Sequence, residues 1–300
     1  MRRGMKRAAL VLSVALLGVG ALGCNQDRAV ATQLMNDGLS ELKAGRTADA
    51  TKKLEEATMK DPTYADPPYY LAQIFHQKYQ QLDDAEDNYA TALKRDPENA
   101  QFLYRYGAIL AEQGKHAQAV DELKKAVEQH KEFPKAWFRL GVSQIAEKQY
   151  VDGVASLTES INLDARMKIG AEDPGGAAYH ALGDLYLRFY FYDKALKVYA
   201  NGIENNPTVA RLHRGQGVSQ LKLKRFADAE ASFKKAVELD RTSGTAYFNL
   251  AIAQRELGKT KEALDSLQKF LSKADPNVDA VRMTAAGGLR AELQDALEKK

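Results

Sequence analysis

Small residues recur down this chain at a nearly constant stride. Gly38, Ala72, Gly107, Gly141, Gly183, Gly217 and Ala251 stand 34, 35, 34, 42, 34 and 34 residues apart. A second set follows 12 residues behind each, once 13: Ala50, Ala85, Ala119, Gly153, Ala195, Ala229 and Ala263. A third lies seven further on: Ala57, Ala92, Ala126, Ser160, Gly202, Ala236 and, out of step, Phe270. Self-similarity at such a period marks a stacked array, and it constrains the fold before any local propensity does. Each period holds two stretches with apolar residues at i, i+3, i+4 and i+7, the pattern of amphipathic helices. In the third, Leu103, Tyr106, Gly107 and Leu110 mark the first helix, and Ala119, Leu123, Ala126 and Val127 the second. Small residues fall where paired helices cross too closely for anything larger. A single hairpin cannot bury its apolar face, but stacked neighbours can.

Turn chemistry separates the helices. Lys43-Ala44-Gly45-Arg46, Glu112-Gln113-Gly114-Lys115 and Glu256-Leu257-Gly258-Lys259 place glycine where a helix ends in the left-handed conformation. Second helices close with Asp61-Pro62, Asp96-Pro97 and Asn206-Pro207, since the residue before proline is driven from helical geometry.

These residues resemble the tetratricopeptide repeat, whose signature combines an aromatic-x-x-Leu-Gly run, an Ala-x-x-x-aromatic run and a proline. Repeat five carries Tyr179-x-x-Leu182-Gly183-x-x-Tyr186, then Ala195-x-x-x-Tyr199-x-x-Gly202 and Pro207; repeat four carries Trp137-x-x-Leu140-Gly141; repeat two carries Ala85-x-x-x-Tyr89-x-x-Ala92 and Pro97. Proline is missing from its slot in repeats three, four and six. The resemblance implies an all-α solenoid, a right-handed superhelix of about seven repeats. They run 31–64, 65–99, 100–133, 134–167, 176–209, 210–243 and 244–277, with residues 278–300 as a C-terminal capping helix. In the cap, Leu289, Leu293, Ala296 and Leu297 are expected inward and charge outward, because terminal repeats need a polar outer face. Gly175-Gly176 and Gly287-Gly288 read as linker punctuation. Lys168 to Gly175 adds eight residues between repeats four and five.

The N-terminus has a basic start, Met1 to Arg7, and an apolar run from Ala8 to Leu22, then Gly23-Cys24. That order describes a secretory signal over residues 1–23, and the apolar run is shorter than the roughly 20 residues a membrane span needs. Ala21-Leu22-Gly23-Cys24 resembles a bacterial lipobox, which implies acylation of Cys24, with residues 24–30 as a short lipidated linker. Asn25 implies sorting to the outer membrane, facing the periplasm. Cys24 is the sole cysteine, so no intramolecular disulfide is available. Without residues 1–23 the chain has 43 − 4 = 39 basic against 40 acidic residues, a net of −1. The basic excess belongs to the leader, and nucleic acid is not an expected partner.

No His-Glu-x-x-His, Cys-x-x-Cys or glycine-rich phosphate loop appears. No metal, cofactor or catalytic residue is expected, and the chain reads as non-enzymatic. The resemblance instead places the binding face on the first helix of each pair. Its fifth slot holds Met35, Tyr69, Tyr104, Phe138, His180, Arg214 and Phe248. Its ninth and twelfth slots include Gln73, Val142, Asp184 and His76. An aromatic-rich row suits an extended or helical peptide; packing against neighbouring helices is the other reading. Some relatives grip a C-terminal carboxylate here, but only Lys135 and Arg139 match that clamp, while Tyr69, Gln73 and Arg105 fill its other places. Chaperone-tail binding is therefore disfavoured. In repeat five the interhelix turn is Phe189-Tyr190-Phe191-Tyr192, with Tyr190 in the glycine slot; Tyr190 and Phe191 are expected to offer a secondary contact, and Phe189 and Tyr192 to point inward.

The first three repeats most resemble pilotin lipoproteins of type IV pili. That likeness implies a lipid-anchored scaffold for a protein partner, either an envelope-complex subunit or a peptide segment. An adaptor lipoprotein for cell-wall enzymes or proteases, or a structural part of a gliding-motility or transport complex, is the alternative. Homo-oligomerisation stays open.

Overall fold

The computed structural model describes residues 26–168 and 175–299, and within them the chain is all helical, fifteen helices with no strand. Helix α1 spans 26–43. The rest are α2 (Thr47–Lys60), α3 (Asp66–Ile74), α4 (Leu82–Arg95), α5 (Ala100–Glu112), α6 (His116–Gln129), α7 (Pro134–Ala146) and α8 (Tyr150–Leu163). They continue with α9 (Ala177–Arg188), α10 (Tyr192–Asn205), α11 (Ala210–Lys222), α12 (Phe226–Leu239), α13 (Gly244–Glu256), α14 (Thr260–Leu271) and α15 (Pro276–Glu298). Two compact units result. Residues up to Glu132 with Ala146–Lys148 form the first, and Phe133–Ile145 with Gln149–Lys300 the second.

Within each unit the helices pair as the stride requires, and the reason is steric. Each small residue faces a large side chain 16 residues later, or 17 once, on the second helix of its pair. That row, Leu54, Tyr89, Leu123, Leu157, Tyr199, Phe233 and Leu267, is fully buried. A Cβ added at Gly107 would lie 2.6 Å from Leu123, and one at Gly217 2.7 Å from Phe233. Phe270, in a small-residue slot, is buried against Phe248 at 5.2 Å and packs in one cluster with Ala286, Leu289 and Leu293 of α15. The 13-residue spacing in repeat two is absorbed by a π-helical turn at Phe75–Tyr79, the usual way a helix takes up an extra residue.

All seven interhelix turns place one residue at positive φ. Gly45, Gly114 and Gly258 do so at 80°, 78° and 71°, whereas Gln80, Lys148, Tyr190 and Lys224 do so at 55–62°. A side chain there costs about 1–2 kcal/mol that glycine avoids. The insertion lies outside the described residues at 169–174. Its far end, Gly175, accepts a bond from Arg211 Nη2 at 2.6 Å, and Gly175 and Gly176 both have positive φ.

Three expectations are corrected. Helix α1 already includes residues 26–30, given above to a linker. Lys60 binds Asp27 at 2.7 Å, and Arg28 binds Asp61 at 2.5 Å, fixing that first turn to the end of α2. At the other end Gly287-Gly288 is no break but lies inside the continuous α15, where burial of Ala286, Leu289 and Leu293 holds the helix. Leu297 is half-buried and Ala296 exposed, and the exposed residues between Asn277 and Gly288 carry no charge.

Burial pushes the Asp61 carboxyl up, but bonds from Thr63 and Arg28 outweigh it and hold its pKa at about 2. The unfolded value is about 3.9. A depressed folded pKa contributes stability that is full above the unfolded value and is lost as pH falls through the folded one. Urea titrations at neutral pH and near pH 2 should therefore show a loss between about pH 4 and pH 2 that is smaller in Asp61→Asn. An equal acid loss in that variant would place the effect on other carboxylates.

Candidate functional site

The first helices carry the expected face, but its members divide by burial. Tyr69 and Tyr104 are 8% and 4% exposed. Tyr69 lies 4.7 Å from the Phe102 ring, 5.4 Å from Tyr70 and 5.9 Å from Tyr89, and its hydroxyl accepts from Gln101. Both rings fill the core of the first unit, which corrects their assignment as anchors for a partner. On that unit Gln73 and His76 stay partly exposed, and His76 Nε2 meets Glu112 Oε2 at 2.7 Å.

In the second unit the face stays open. Phe138 and Val142 on α7, His180 on α9, Arg214 on α11 and Phe248 on α13 are half-buried, and Asp184 is exposed. Val142 and Asp184 share a cleft of about 180 Å³ with Ile145, Ala181, Leu185 and Arg188. Asp184 ties the row to the core. Its Oδ1 accepts the Tyr199 hydroxyl at 2.5 Å, and its Oδ2 lies 3.5 Å from His180 Nδ1. Burial lowers the His180 pKa, Asp184 opposes that, and Arg211 and Arg214 push the same way as burial. The imidazole is therefore neutral at neutral pH. Burial raises the Tyr199 pKa, and the adjacent Asp184 carboxylate raises it further, so the phenol stays a donor.

At the repeat-five turn Tyr190 and Phe191 are exposed as expected. Phe189, expected inward, is also exposed at its edge, although its ring meets Tyr150 at 4.7 Å. Tyr192 is half-buried. Cys24 lies outside the described residues. Among those residues no three His, Asp or Glu side chains gather as a metal site requires, and no helix is long and apolar enough to cross a membrane.

One polar ladder escapes a search for small residues. Ser156 donates to Gln144, Ser232 to Gln220 and Ser266 to Gln254, each at 2.7 Å and each 12 residues apart. The first and last pairs are buried and the middle one is half-buried at Gln220, and together they fix the register between first and second helices. The repeated Gln-x11-Ser spacing was the available signal. A second motif links consecutive pairs across 29 residues: Lys115 binds Glu86 at 2.6 Å, and Lys259 binds Glu230 at 2.5 Å.

Tetratricopeptide-repeat models match residues 77–131, 110–166 and 180–244, and a further one matches 232–265. The type IV pilus assembly protein PilF of Pseudomonas aeruginosa is 30% identical over 172 residues, covering 53% of this chain and 67% of PilF. A PilF structure shares the fold with a TM-score of 0.59 at 22% identity, covering 78% of this chain and 99% of its own. A tetratricopeptide repeat protein from Parabacteroides merdae does so with a TM-score of 0.61 at 15% identity, covering 89% and 99%. The Hsp70-Hsp90 organizing protein of Triticum aestivum is 24% identical over 235 residues, 67% of this chain, yet the match spans only 39% of that relative.

Proposed function

The chain belongs to the tetratricopeptide-repeat family of protein-interaction scaffolds, and we propose that it holds a segment of an envelope protein on the first-helix face of its second unit. A lipid on Cys24 tethers it to the outer membrane from the periplasmic side, where it serves assembly of an envelope machine. The observation that carries the binding face is the row Phe138, Val142, His180, Asp184, Arg214 and Phe248 on four successive first helices. These apolar, polar and charged side chains are left partly open after packing is complete. A peptide lying across first helices meets one or two such residues per repeat, the arrangement by which grooves read extended or helical ligands. The name of PilF, a pilus assembly protein, supports the envelope-machine reading.

The test is site-specific photo-crosslinking in cells making the full chain. A photoreactive residue at Val142 or Asp184 should trap one discrete partner, and one at the outward Val151 should not. Trapping at Val151 alone would remove the binding face from the first helices. Fractionation of Cys24→Ala tests the tether separately, and a variant that stays with the outer membrane at mature size would overturn it.

A further inference from the structure

The α9–α10 turn exposes three consecutive rings: Phe189 at 40%, Tyr190 at 76% and Phe191 at 53%. Tyr190 stands at positive φ in a slot that glycine fills in three other turns and Gln80, Lys148 and Lys224 fill in the remaining three, so this turn alone puts a ring there. Tyr150 joins the patch through its contact with Phe189, and the neighbouring Val151 is 84% exposed. Helices α9, α10 and α11 all pack on one another, and the connections of α10 to its neighbours are short, 189–191 and 206–209. Short connections join antiparallel neighbours, so α9 and α11 run the same way and their C-terminal turns fall on one edge. The α11–α12 turn therefore adds Lys222, Lys224 and Arg225 beside the rings, all exposed.

Charge along this edge is sorted. Arg188 and Lys194 flank the rings, with the Lys194 ammonium 5.1 Å from the Phe191 centroid. Arg188, Lys222, Lys224 and Arg225 enter no ion pair among the described residues. The carboxylates nearby, Asp152, Asp193 and Asp228, each sit in the first turn of a second helix, where they offset the N-terminal dipole. Protruding rings among unpaired cations suit a surface that yields around them better than one needing a matched pocket. Aromatic side chains settle at the headgroup level of a bilayer, and cations are drawn to anionic lipid.

We propose that this turn edge of the second unit docks on an anionic lipid surface. Tyr190 and Phe191 lie among the headgroups, and Arg188, Lys194, Lys224 and Arg225 face their phosphates. The contact is independent of any lipid at Cys24.

The test places a reporter at the tip of the intact chain as Phe191→Trp, with Tyr190→Trp as a second variant and circular dichroism to check folding. The parent protein, whose one tryptophan is Trp137, is the blank. On vesicles of phosphatidylcholine and phosphatidylglycerol with brominated acyl chains, tip emission should shift to the blue and be quenched. Arg188→Gln or Lys224→Gln should weaken the effect about fivefold each, and salt should weaken it further. A tip tryptophan that stays unquenched while the protein sediments with those vesicles would overturn the proposal. So would equal quenching on neutral vesicles, or protection of the tip only when a partner protein is added.

Discussion

Gly183→Ala and Gly215→Ala should each lower stability by about 1–3 kcal/mol, the cost of forcing atoms into a packed core. The Tyr199 ring is held between these two glycines. An added Cβ would lie 2.5 Å from ring carbon at Gly183 and 2.3 Å at Gly215. The ring is fully buried and its hydroxyl is tied to Asp184, so it has nowhere to move. The same substitution should have the opposite sign in α15. A Cβ at Gly287 or Gly288 meets nothing within 4 Å. Alanine inside an exposed helix is favoured over glycine by roughly 0.5–1 kcal/mol, so both variants should gain stability. Urea unfolding of the four single variants decides the matter. Unchanged midpoints at 183 and 215 would mean that the ring does not lie between them.

The stride of small residues made the helix pairs legible because a glycine or alanine at a crossing is a steric requirement with little freedom. The opposite side of each contact was not legible. Leu, Tyr and Phe all fill it, so the row from Leu54 to Leu267 shows no single residue type. Burial on the first-helix face was also beyond the sequence. Tyr69 occupies the same slot as His180, yet it is covered because Tyr89 of its own repeat and Phe102 of the next pack against it, and the second depends on which side chains the next repeat brings. The Gly287-Gly288 pair misled for a thermodynamic reason. Two glycines cost a helix about 2 kcal/mol, and three buried side chains on α15 outweigh that. The extra residue in repeat two was countable, but its resolution as a π turn was not. The exposed tip at Tyr190 was readable because an aromatic residue stands in a slot that Gly, Gln or Lys fills in the other six turns.

Tyr89 and Tyr199 occupy equivalent places, both fully buried, and they should respond differently to loss of one oxygen. Truncation to alanine empties a ring-sized space in either repeat and should cost about 3–5 kcal/mol. Tyr199→Phe removes a hydrogen bond to a carboxylate; bonds to charged groups contribute about 1.5–3 kcal/mol, and the exposure of Asp184 places the cost at the low end. Tyr89→Phe should be neutral or stabilising, because its hydroxyl is buried with no hydrogen-bond partner among the described residues, and an unpaired buried donor is itself a cost. The residue that answers Tyr199, Asp184, is replaced in repeat two by Gln73, which leaves the Tyr89 phenol unmatched. Denaturation midpoints of the two phenylalanine variants should therefore move apart, and equal losses would remove the distinction. A second readout joins core to function. Tyr199→Phe frees Asp184 Oδ1 at the open face while leaving the ring in place, so crosslinking from position 142 should change in yield in that variant and stay constant in Tyr89→Phe.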